Sequence, residues 1–89
     1  MIEETLTLKN RLGLHVRAAA KLVQTASAFE SRVTLNAEGS EADGKSILGL
    51  LQLLAGKGTP ILVRVEGSDE GAALDAIRTL IDRRFDEAD

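Results

Sequence analysis

The sequence predicts a two-layer α+β sandwich, with a mainly antiparallel sheet packed by helices on one face and open to water on the other. Three observations lead there. Several short segments alternate apolar and polar residues, so each strand buries a single face. Three longer segments carry apolar residues at helical spacing. The two kinds follow one another as strand, helix, strand, strand, helix, strand, helix. The 89 residues suffice for one domain, residues 1–89, and are too few for two.

Residues Ile2 to Leu8 form the first strand, with Ile2, Leu6 and Leu8 on one side and Glu3, Thr5 and Thr7 on the other. Asn10 to Gly13 is turn chemistry. From Val16 to Phe29, the positions Val16, Ala19, Ala20, Val23 and Ala26 make a helical face. Arg32 to Ala37 alternates again, with Val33, Leu35 and Ala37 inward. Glu38-Gly39-Ser40 turns the chain, and Glu41 to Asp43 has room only for a short edge strand. A second helix runs from Ile47 to about Ala55, with Ser46 placed as its N-cap and Leu50, Leu53 and Leu54 as its core face. Gly56-Lys57-Gly58-Thr59-Pro60 ends it. Ile61, Val63 and Val65 mark the last strand. The third helix extends from about Glu70 to Phe85 and buries Ala73, Leu74, Ile77, Leu80, Ile81 and Phe85.

Composition narrows the function. The apolar fraction is 44%, but Phe29 and Phe85 are the only aromatic residues, so the core is built from Leu, Ile, Val and Ala. A net charge of −3 without basic clusters argues against a nucleic-acid partner. The absence of cysteine removes disulfides and thiolate metal sites. No apolar run reaches the ~18 residues of a membrane span, and the first residues lack the pattern of a signal peptide. The expectation is a cytoplasmic protein without direct membrane insertion, and a monomer.

The one histidine, His15, lies in Asn10-Arg11-Leu12-Gly13-Leu14-His15-Val16-Arg17, immediately before the first helix. A helix start offers unpaired N–H groups and a partial positive charge, which favour an anion such as phosphate. Arg17 is close enough to share that end, and guanidinium pairs well with phosphate oxygens. Gly13 permits a tight turn, and Ala18, Ala19 and Ala20 leave the first helical turn uncrowded. A lone histidine is more often a simple surface residue; these neighbours shift the reading toward a phosphoryl acceptor. Nothing in the chain supplies paired carboxylates for magnesium or a nucleotide site, so it reads as a carrier served by enzymes on either side. It needs no cofactor and no metal.

A second group of residues is Lys45-Ser46-Ile47-Leu48-Gly49-Leu50-Leu51, whose apolar side chains cover more than half of a helical wheel. A short surface helix buries one side only, which leaves Ile47, Leu48 and Leu51 as a docking patch unless other elements cover them. The stretch Gly39 to Ser46 also matches the P-loop pattern G-x-x-x-x-G-K-[ST] letter for letter. That loop follows a buried parallel strand, which this chain does not offer, and Glu41 and Asp43 would repel a nucleotide. Serine-hydrolase chemistry fares no better: there is no G-x-S-x-G elbow, and no carboxylate lies near His15 in sequence.

The run Asn10-x-x-Gly13-Leu14-His15-x-Arg17, followed by Gly44-Lys45-Ser46-Ile47, resembles the histidine-containing phosphocarrier family, HPr, of the bacterial phosphoenolpyruvate-dependent phosphotransferase system. The resemblance covers essentially the whole chain. It implies an open-faced β-sandwich, a four-stranded antiparallel sheet under three helices. It implies that His15 accepts a phosphoryl group at Nδ1 from enzyme I and passes it to an enzyme IIA domain, with Arg17 steadying the group. It further implies that Ser46 is a regulatory phosphorylation site for a dedicated kinase, beside the partner-binding residues Ile47, Leu48 and Leu51. Such a protein is a covalent intermediate for phosphotransferases rather than an enzyme. The family usually reads His-Ala-Arg-Pro-Ala, whereas Val16 and Ala18 stand here; Ala18 restores an N–H where proline has none. The ending Phe85-Asp86-Glu87-Ala88-Asp89 is similar to that of the nitrogen-branch carriers. The alternative is a regulatory binding module on the same fold that acts through the face of Ser46, Ile47 and Leu51.

Overall fold

The computed structural model describes residues 1–88. Its elements are β1 (Ile2–Thr7), α1 (Val16–Ser27), β2 (Arg32–Ala37), β3 (Ser40–Asp43), α2 (Ile47–Gln52), β4 (Pro60–Glu66) and α3 (Glu70–Asp82), followed by a short turn at Arg84–Asp86. The four strands form one sheet in the order β1-β4-β2-β3, and all three pairings are antiparallel. This is the four-stranded antiparallel open sheet with three helices that the sequence leads one to expect.

Alternation fixes which face of the sheet is covered. Leu6, Val33, Leu35, Ala37, Ile61, Val63 and Val65 are buried beneath the helices, together with Ala19, Leu22 and Ala26 of α1, Leu50 of α2 and Ala73, Ile77 and Ile81 of α3. Registers such as Leu35 opposite Val63 and Val33 opposite Val65 set like faces side by side. A one-residue slip would expose the whole set, so the pairing is strongly specified. One charged residue lies on the covered side: Glu4 of β1 receives two hydrogen bonds from Arg78 of α3, at 3.0 and 2.6 Å.

Three helix ends differ from the sequence reading. In α1 the regular hydrogen bonds stop at Ser27, and the buried face is Ala18, Ala19, Leu22 and Ala26, while Val16 is 63% exposed. Val16 occupies the first helical position, at the rim of the cleft rather than over the core. In α2 the helix ends at Gln52 because Leu53 and Leu54 bond three residues back, to the carbonyls of Leu50 and Leu51. Leu54 then takes the left-handed conformation, φ 53°, and its side chain is 90% exposed rather than in the core. In α3 the helix stops at Asp82, and Arg84, Phe85 and Asp86 all have positive φ. Phe85 is fully buried as expected, but from a reversed turn and not from a helix face. That turn sends the chain back toward the start of α1.

The P-loop match also finds its explanation. Gly39 belongs to the β2–β3 hairpin, and the residues that follow form an antiparallel edge strand, not a phosphate-cradling loop. Among the described residues no helix is long and apolar enough to cross a membrane.

Candidate functional site

The segment between β1 and α1 is held from behind before it presents anything. Leu8 accepts from the Gly58 N–H at 2.8 Å, and the Leu14 N–H donates to the Ala55 carbonyl at 2.9 Å. Gly13 closes a turn on Asn10, with its N–H 3.1 Å from the Asn10 carbonyl, and has φ 64°. A Cβ on Gly13 would lie 2.5 Å from the Ala55 carbonyl oxygen and 2.6 Å from the Gly56 Cα, so only glycine meets both requirements. Asn10 is fully buried and donates from Nδ2 to the Gly13 carbonyl at 2.6 Å.

This support places His15 as the N-cap residue of α1. Its backbone is extended, its carbonyl accepts from the Ala19 N–H at 2.8 Å, and its imidazole makes no capping bond. The N–H groups of Val16, Arg17 and Ala18 are the first three of the helix, and they are the ones that helix geometry leaves without intrahelical partners. A cleft of about 690 Å³ opens here, lined on one side by Arg11, Leu12, His15, Val16, Arg17 and Lys21 and on the other by Asp86, Glu87 and Ala88. His15 and Arg17, paired from sequence, therefore share one cavity. Leu12 and Val16, 56% and 63% exposed, give it an apolar rim.

The cleft also contains a carboxylate that no local pattern announces. His15 Nε2 is hydrogen-bonded to Glu87 Oε2. The other carboxylate oxygen, Oε1, accepts from Asn10 Nδ2 at 3.0 Å. Burial alone would raise the Glu87 carboxyl, but the bonds from Asn10 and His15 and the nearby charge of Arg17 outweigh it and hold the group below its ordinary value. The tail reaches this position through the three left-handed residues Arg84–Asp86, a conformation that costs about 1–2 kcal/mol per residue for side chains with a Cβ. Several contacts offset that cost. Phe85 is buried, Lys21 Nζ donates to the Phe85 carbonyl at 2.6 Å, and Arg83 donates to Asp86 at 2.7 and 3.0 Å. Glu87 is 72 residues from His15 in sequence and lies in an acidic run of the kind that usually only faces water. Asp89, the last residue of that run, lies outside the described residues.

Ser46 stands apart from the cleft. It caps α2, its Oγ accepting from the Gly49 N–H at 3.0 Å, as its position in the sequence leads one to expect. Of the three residues beside it, Ile47 and Leu48 are exposed, at 40% and 68%, whereas Leu51 is half-buried and packs against the core. The exposed apolar surface is therefore narrower than the helical wheel suggests.

Comparison with known proteins places the chain in a family. A family model described as "PTS HPr component phosphorylation site" matches residues 2–83. The chain is 51% identical over 87 residues to a phosphocarrier protein HPr of Xylella fastidiosa, covering 98% of each. It is 46% identical over 87 residues to a phosphocarrier protein NPr of Shewanella violacea, covering 98% of this chain and 96% of that one. The crystal structure of HPr-C-His from Thermoanaerobacter tengcongensis superimposes with a TM-score of 0.94 at 39% identity, over 98% of both chains. The family model and these relatives define a class of small phosphocarrier proteins. Within that class, the chain belongs to the HPr family, the phosphocarrier proteins of the phosphotransferase system.

Proposed function

We propose that His15 accepts a phosphoryl group from enzyme I at Nδ1 and surrenders it to a histidine of an enzyme IIA domain, in the cytoplasm. The observation that carries this reading is the contact that the imidazole makes with Glu87. Nε2 is engaged by Glu87, which leaves Nδ1 as the ring nitrogen with its lone pair available, at the start of a twelve-residue helix and in the same cleft as Arg17. The helix end and the Arg17 guanidinium supply positive potential for a dianionic group. Attack by Nδ1 on phosphorus breaks the donor's P–N bond, and the donor nitrogen leaves with the electron pair. The P–N bond formed on His15 is labile, so the group passes on.

The exposed Leu12, Val16, Ile47 and Leu48 give enzyme I and enzyme IIA an apolar surface to dock on, with Leu51 supporting it from beneath. Phosphorylation of Ser46 by a kinase would set about two negative charges next to Ile47 and Leu48 and oppose an acidic partner surface. The phosphocarrier reading is tested by incubating the chain with phosphoenolpyruvate and enzyme I and weighing the product. One acid-labile phosphate, absent from His15→Ala, is the expected result. No adduct on the wild-type chain would leave the regulatory binding module as the better reading.

A further inference from the structure

The carrier reading gives roles to His15, Arg17 and Ser46, and none to the carboxylate that holds the ring. We propose that Glu87 is a positioning residue for phosphoryl transfer, a role that rests on His15 being the acceptor. Its carboxylate accepts the Nε2–H of His15, which fixes that tautomer and commits the lone pair to Nδ1. As the Nδ1–P bond forms and the donor's P–N bond breaks, the ring gains positive charge while keeping its Nε2 proton. Glu87 balances that charge across the ring without taking the proton. In the onward step the electron pair of the Nδ1–P bond returns to Nδ1, the phosphoryl group leaves to the acceptor nitrogen, and the same neutral tautomer remains. A carboxylate on the far nitrogen of a catalytic imidazole acts in this manner in unrelated enzymes.

Three features show that the carboxylate is built in rather than trailing. Glu87 is bound at both oxygens, one by His15 and one by the buried Asn10, and Asn10 is itself tied to Gly13, two residues before His15. Its side chain is 14% exposed and that of His15 is 26% exposed, so the pair is largely shielded from competing water. The backbone adopts three successive left-handed residues just before it, an arrangement that persists only where its surroundings over-determine it. A phosphoryl dianion on Nδ1 and Glu87 at Nε2 would occupy opposite ring nitrogens, and the charge of Arg17, which lines the same cleft, offsets their mutual repulsion.

The test uses the full chain, enzyme I and phosphoenolpyruvate, with Glu87→Gln and Glu87→Ala as variants. Glu87→Gln removes the negative charge and one of the two acceptor oxygens, and Glu87→Ala removes the carboxylate altogether, so both variants should slow the transfer. The maximal rate of phosphorylation is expected to fall about 10-fold in each, with the KM for the carrier unchanged. The His15 Nε2–H resonance, visible by proton NMR in the wild type because it is bonded and shielded, is expected to vanish in Glu87→Ala. A rate at or above wild type, a change in KM alone, or an Nε2–H signal that survives Glu87→Ala would overturn the proposal. Should the wild type take up no phosphoryl group, the carrier reading fails instead, and the NMR signal still decides whether Glu87 orients the ring.

Discussion

At the scale of single residues, the site is assembled from parts of very unequal visibility. His15 and Arg17 stand two apart before a helical pattern, and helix electrostatics alone make that spacing meaningful. Gly13 is equally legible as a turn residue, though its true constraint is the backbone of Ala55 and Gly56 pressed against it. Gly13→Ala should therefore destabilise the chain by about 1–3 kcal/mol in urea unfolding; an unchanged midpoint would mean that the loop relaxes freely and does not hold His15. Glu87 was beyond sequence reasoning. Its partner is 72 residues away, and an acidic tail carries no signal that one of its carboxylates is buried against an imidazole.

At the scale of elements, the strands were the most readable because a period of two leaves no ambiguity about which side chains turn inward. Val33, Leu35, Ile61, Val63 and Val65 are all buried as the alternation requires. Helix ends were the least readable, since each was decided by where the next element runs. Leu54 fits the helical wheel of α2, yet the chain has already turned left-handed there to reach β4. Phe85 fits the wheel of α3, yet it is buried from the turn that delivers the tail. The short α2, with six residues, depends on its cap more than a long helix would. Ser46→Ala is expected to cost about 1 kcal/mol of stability, measured by thermal unfolding, while phosphoryl uptake at His15 stays intact. An equal loss of phosphoryl uptake would show that the two sites are coupled through α2.

At the scale of the whole molecule, carboxylates tie together β1, the start of α3 and the tail. The Glu4 carboxyl is held below its ordinary value by its hydrogen bond from Arg78, that of Asp69 by the Ser31 hydroxyl and the Glu30 N–H, and that of Asp86 by its hydrogen bond from Arg83. Each of these groups binds its proton less readily in the folded chain than in the unfolded one. Their contribution is complete above the ordinary carboxylate range of about 4 and is lost as the pH falls through the lowered folded values. The melting temperature should thus decline as the pH falls below 4. Glu4→Gln should flatten that decline, and a parallel acid limb in this variant would remove Glu4 from the account.

With Nε2 of His15 already held by Glu87, a phosphoryl group is expected on Nδ1. Chain labelled with 15N in its histidine and phosphorylated by enzyme I would reveal the site through the one-bond coupling between phosphorus and nitrogen. The coupled nitrogen is expected to be Nδ1 of His15, with Nε2 still bonded to Glu87. Coupling to Nε2, or a phosphate found on Ser46 alone, would contradict it.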